Sequence, residues 1–114
     1  MNKIMEQTLL YDFYGELLTD HQRQVYEAVV LNDYSLSEVA EDLGISRQGV
    51  HDMIKRCGRI LSDYEEKLHL VSRFVSIKEK VNQIHILTKN CQNESKESLM
   101  RKIEEISNGI LEEL

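Results

Sequence analysis

Between Ser46 and Arg59 the chain sets side chains able to hydrogen bond base edges beside side chains able to hold phosphates. Arg47 carries a fork that matches guanine and Gln48 an amide that matches adenine, with Ser46 and His51 as shorter polar neighbours. Lys55, Arg56 and Arg59 follow and suit phosphate oxygens. From Ser46 to Ile60 four cations face one acid, Asp52, although the 114-residue chain as a whole has a formal net charge of -6. Bond-making chemistry finds no comparable cluster. His21, His51, His69 and His85 lack HxxxH or HExxH spacing, no glycine-rich loop follows a strand, and Cys57 and Cys91 form no CxxC pair. No metal, no cofactor and no enzymatic activity are expected, and both cysteines are expected to serve packing.

A base-reading helix needs a scaffold that holds its apolar side and leaves the polar side open. The segment from Leu36 to Lys55 has the pattern of a helix-turn-helix. Ser35 opens a short helix, with Glu38 placed to complete a capping box, and Gly44 supplies a residue that tolerates positive φ at its end. Ser46 opens the next helix. Ala40 is small enough for two helices to cross closely, and Val39, Leu43, Ile45, Val50 and Met53 fall at the buried positions of the motif. Gly49 and Gly58 lie inside the second helix at a cost of about 1 kcal/mol each relative to alanine.

Helical spacing extends almost throughout. The absence of proline from all 114 residues agrees with an all-α chain. A first helix is expected over about residues 3–17, with Ile4, Met5, Leu9, Phe13 and Leu17 on its apolar face. Thr19 and Gln22 form a second capping box before a helix that presents Val25, Tyr26, Val29 and Val30 and ends at Asn32 and Asp33. Beyond the motif, Cys57, Leu61, Tyr64, Leu68, Val71 and Val75 recur at alternating steps of four and three, and Ile77, Val81, Ile84 and Leu87 resume after a shift. That spacing predicts one helix packed along its length against another. The polar run Asn90 to Ser95 breaks it, and a last helix carries Leu99, Ile103, Ile106, Ile110 and Leu114. The expected division is a helix-turn-helix domain over 1–62 and a helical arm over 63–114, the arm either folding as a hairpin or pairing with a second copy.

The stretch Leu18-Thr19-Asp20-His21-Gln22-Arg23-Gln24-Val25, followed by Ser37-Glu38-Val39-Ala40-Glu41-Asp42-Leu43-Gly44-Ile45-Ser46-Arg47-Gln48-Gly49-Val50, resembles the promoter-reading fourth region of sigma factors. With Leu10-Tyr11-Asp12-Phe13-Tyr14-Gly15 it is more closely similar to the YlxM family of helix-turn-helix proteins from Gram-positive bacteria, well over about residues 8–75 and loosely beyond. The resemblance implies a sigma region 4-like bundle with a C-terminal helical arm or hairpin, a regulatory role, and a link to the signal recognition particle pathway. That link is not visible in composition, spacing or charge.

Two function classes follow. In the first the chain is a DNA-binding regulator: Ser46, Arg47, Gln48 and His51 read bases, Lys55, Arg56 and Arg59 hold phosphates, and double-stranded DNA is the partner. In the second the scaffold or its acidic surface docks a protein or ribonucleoprotein such as the signal recognition particle, a negative surface favouring a basic partner. The charge of -6 repels DNA at long range, yet screening beyond roughly 8 Å at physiological salt leaves a local basic patch able to act. No run reads as a signal peptide or approaches the roughly 18 apolar residues of a membrane span, so a cytosolic protein is expected.

Overall fold

Asn2, Thr19, Ser35, Ser46 and Ser95 each stand just before a helix, and each side chain accepts a first-turn backbone N–H, satisfying a donor the helix itself cannot. The computed structural model describes residues 2–114, with six α-helices and no strand among the described residues. These are α1 (Lys3–Tyr14), α2 (Asp20–Tyr26), α3 (Leu36–Leu43), α4 (Arg47–Leu68), α5 (Leu70–Lys89) and α6 (Lys96–Glu113). Both expected capping boxes form: Thr19 exchanges hydrogen bonds with Gln22, and Ser35 with Glu38.

The helices fall into two compact units, Met1–Val71 and Ser72–Leu114. α4 runs unbroken through residues 62 and 63, and its last turns belong to the first unit. There Val25, Val39, Ala40 and Val50 form a buried cluster flanked by Ala28, Leu36, Leu43, Met53 and Ile54. Cys57 and Leu61 continue the buried line up α4, both fully shielded. Each fully buried valine or leucine among them contributes about 1.5–3 kcal/mol relative to exposure.

The first helix departs from expectation in the face it buries. Ile4, Met5, Phe13 and Leu17 are exposed and Leu9 is only half-buried, while Leu10, Tyr14 and Leu18 point into the unit. The four-residue step from Leu10 through Tyr14 to Leu18 runs through a 3-10 turn (Gly15–Leu17), and the tyrosine can be buried because its hydroxyl finds partners. Tyr14 donates to Glu65 Oε1 at 2.6 Å and its oxygen accepts the Leu70 N–H at 3.1 Å. Tyr11 stacks on Tyr26 with ring centroids 5.5 Å apart and donates to the Glu27 carboxylate. Glu27 starts a π turn (Glu27–Leu31) that closes with Asn32 N–H on the Glu27 carbonyl, and Asp33 then turns the chain at a φ of 60°.

The long seam expected from Cys57 to Leu87 is not one helix. His69 adopts the left-handed conformation, φ 58°, and separates α4 from α5, and Leu68 is exposed. The first two residues of the new helix lie within the first unit: Glu65 Oε1 accepts the Val71 N–H at 2.9 Å while Tyr14 takes that of Leu70, so two orphan donors of α5 are satisfied from outside the helix.

The second unit joins α5 and α6 through a 3-10 turn (Cys91–Asn93) at the expected break. Ser76 donates to Glu113 at 2.6 Å, and Lys80 pairs with the same carboxylate at 3.0 Å, which holds that carboxyl below its usual range. Leu99, Ile103, Ile106 and Ile110 are half-buried and Leu114 is exposed.

Alkaline pH is expected to unfold the first unit. Burial disfavours the Tyr26 phenolate and pushes its pKa up to about 12, the nearby Cys57 adding to the effect, and burial raises Tyr14 as well. The unfolded chain loses these protons near pH 10, so the stability they lend is present below pH 10 and is lost as pH climbs toward about 12. A pH titration followed by tyrosinate absorbance and helicity should show the buried tyrosines ionising together with helix loss. Full helicity after all five tyrosines have ionised would contradict it.

Candidate nucleic-acid interface

The turn that aims α4 is set by backbone chemistry around Gly44. Gly44 sits at φ 67° with its N–H on the Glu41 carbonyl, and the Ile45 N–H reaches the Ala40 carbonyl, which together form a Schellman closure. A Cβ at this φ would be strained, so glycine is the residue that ends α3 within one turn of the next helix. Ile45, expected in the core, is 39% exposed. Val39, Ala40 and Val50 are buried, and Leu43 and Met53 pack against them.

Ser46 caps α4 by accepting the Gly49 N–H at 2.9 Å. A Cβ on Gly49 would stand 3.1 Å from that hydroxyl, so the close approach glycine permits here is by the capping serine. Arg47, Gln48, His51, Asp52, Lys55, Arg56 and Arg59 are all exposed. At about 100° per residue they occupy one half of the α4 circumference, opposite Val50, Met53, Cys57 and Leu61. The helix thus has a core side and a polar side along three turns, and Arg47 and Arg59 lie roughly 18 Å apart along its axis at 1.5 Å per residue.

Arg47, Gln48 and His51 line one open recess together with Leu36, the first residue of α3. Leu36 was not among the site residues expected from the sequence, because only the crossing of the two helices brings it to the rim. Asp52 is the acid of this face. Its Oδ1 accepts Gln48 Nε2 at 2.9 Å and lies 3.8 Å from His51 Nδ1, so it orients both. The i to i+4 step from 48 to 52 is the sequence signal of that contact. Among the described residues no carboxylate pairs with Arg47, Lys55, Arg56 or Arg59; the Lys and Arg ion pairs present are those of Lys80 and Lys102. The α4 cations are therefore available to an external anion. No group of three His, Cys, Asp or Glu able to hold a metal ion occurs among the described residues.

Gly58 differs from the other α4 glycine. Apart from its chain neighbours and its own helix backbone, nothing lies within 4 Å of the Cβ it lacks, so Gly58→Ala is expected to raise stability by about 0.5–1 kcal/mol through helix propensity. Urea unfolding of the two proteins checks it, and a lower midpoint in the variant would contradict it.

A short capped helix, a glycine turn and a longer helix with its polar side open define a helix-turn-helix protein. Among the described residues no helix is long and apolar enough to cross a membrane. The family model of UPF0122, described as "Putative helix-turn-helix protein, YlxM / p13 like", matches residues 1–106, and the chain belongs to this family. A UPF0122 protein of Thermoanaerobacter sp. (strain X514) is 57% identical over 77 residues, which is 68% of this chain and 66% of that relative. The chain therefore matches just under two thirds of that relative's length. A UPF0122 protein of Geobacillus sp. (strain WCH70) is 38% identical over 108 residues, 93% of this chain and 98% of the relative. One of Acetivibrio thermocellus is 50% identical over 84 residues, 74% of this chain and 72% of the relative.

Proposed function

We propose that the protein binds double-stranded DNA through α4 and acts as a regulator. The observation that carries this is the unpaired cationic side of α4, held outward by the buried side of the same helix in a chain that is otherwise acidic. Arg47, Gln48 and His51, with the exposed Ser46 at the helix start, read base edges in the major groove. Lys55, Arg56 and Arg59 hold phosphates along the flanking backbone, where a span of roughly 18 Å reaches past a groove about 12 Å wide.

These roles separate by experiment. Arg47→Ala is expected to change which sequences are preferred in a binding selection. Arg59→Ala is expected to weaken all duplexes alike and to lower the salt slope by about one. Equal losses on every sequence from both substitutions would contradict the assignment.

A specific observation favours a second partner class. Outside the Arg47–Arg59 stretch, Met1–Val71 carries twelve acids against three cations, Lys3, Arg23 and Lys67. A surface of that sign attracts a basic protein. The resemblance to the YlxM proteins supports a component of the signal recognition particle, such as its GTPase, as that protein. A pull-down with the GTPase showing no enrichment over a neutral control protein would remove it.

A further inference from the structure

We propose that the α5–α6 unit, Ser72–Leu114, is a dimerisation surface whose occupant is the same unit of a second copy of this chain. The inference goes beyond DNA binding and does not depend on it.

No residue from Ser72 to Leu114 is buried, whereas Val25, Val50, Cys57 and Leu61 of the first unit are fully shielded. Two helices touch along one line only, so the apolar residues beyond that line stay wet. On α5 the line Ile77, Val81, Ile84 steps by four and three, the spacing of a helix seam, with Val81 52% exposed. On α6 Met100, Leu111 and Leu114 are 61%, 66% and 86% exposed beside the half-buried Ile103 and Ile110. A seam this regular and this open is a surface lacking its covering layer.

Charge identifies the cover. Ser72–Leu114 holds seven cations and seven acids and is neutral, while Met1–Val71 holds seven cations and thirteen acids and carries the whole deficit of six. A strongly charged partner would gain no electrostatic attraction at the neutral unit. A second copy meets no net repulsion there, and its own amphipathic helix pair supplies the matching apolar face. Helices of 20 and 18 residues are roughly 27–30 Å long, and two side by side present roughly 600 Å² before side-chain relief, close to the 800 Å² per partner of a standard interface. The same patch on both copies makes the association two-fold and closed, a four-helix bundle.

The test is the mass of the full chain in solution by light scattering across about 1–100 µM, without DNA, on the unmodified protein and on Val81→Glu/Leu111→Glu. The unmodified protein is expected at twice the chain mass of 13.3 kDa. The double variant is expected at 13.3 kDa with its far-ultraviolet helicity retained, since both positions are already more than half exposed within the chain. A monomeric unmodified protein at the highest concentration overturns the proposal, whatever the variant does. A dimer that persists unchanged in the folded double variant overturns the assignment to this face.

Discussion

Tyr14→Ala is expected to destabilise the protein by about 3–5 kcal/mol, the usual cost of removing a buried aromatic ring. The ring is 1% exposed and packs near Tyr64, with centroids 6.0 Å apart. Its loss opens a cavity beside the last turns of α4. The hydroxyl adds a second loss, because it bridges Glu65 and the Leu70 N–H, and without it both the part-buried Leu70 donor and the half-buried carboxylate lose this hydrogen bond. Tyr14→Phe separates the two effects. It keeps the ring and is expected to cost about 1–3 kcal/mol, with the loss concentrated at the start of α5. Urea unfolding gives the totals, and amide exchange at Leu70 and Val71 should accelerate in Tyr14→Phe. A phenylalanine variant as stable as the parent, with unchanged protection there, would contradict a structural role for the hydroxyl.

The features that were legible in the sequence are those decided locally. Thr19 with Gln22 and Ser35 with Glu38 are capping boxes whose partners lie three residues apart, and both form. Gly44 announces its positive φ because no other residue adopts it as readily. The core positions of the motif, Val39, Ala40 and Val50, follow from helical spacing between those marks. What escaped was decided by tertiary partners. Phe13 and Leu17 look more apolar than Tyr14, yet Tyr14 is buried because Glu65, fifty-one residues away, accepts its proton. His69 breaks a regular heptad pattern with no glycine or proline to signal it, and the hydrogen bonds that stabilise the new helix start come from Tyr14 and Glu65. The polar side of α4 was legible residue by residue, but the recess that Leu36 completes depends on how two helices cross.

The second large effect concerns binding. Replacing Lys55, Arg56 and Arg59 together with alanine is expected to weaken DNA binding on the order of 100-fold at about 50 mM salt, because three counterion-releasing contacts disappear at once. The three side chains are exposed and free of ion pairs among the described residues, so the fold should keep its helicity and unfolding midpoint. Arg47, Gln48 and His51 stay in place in this variant. What binding survives should therefore be less sensitive to salt and still selective among sequences. Unchanged affinity in the triple variant would move the phosphate contacts elsewhere on the surface.

The central claim, that the polar side of α4 is a DNA-binding face, is tested most directly by an anisotropy titration of the unmodified protein on pooled genomic duplex fragments at about 50 and 200 mM salt. Three phosphate contacts predict saturable binding that weakens roughly 40-fold between the two salts, from a slope of about 0.9 per contact, with some fragments enriched over others. Absence of binding at the lower salt would contradict the claim and leave the helix-turn-helix as a scaffold for protein contacts.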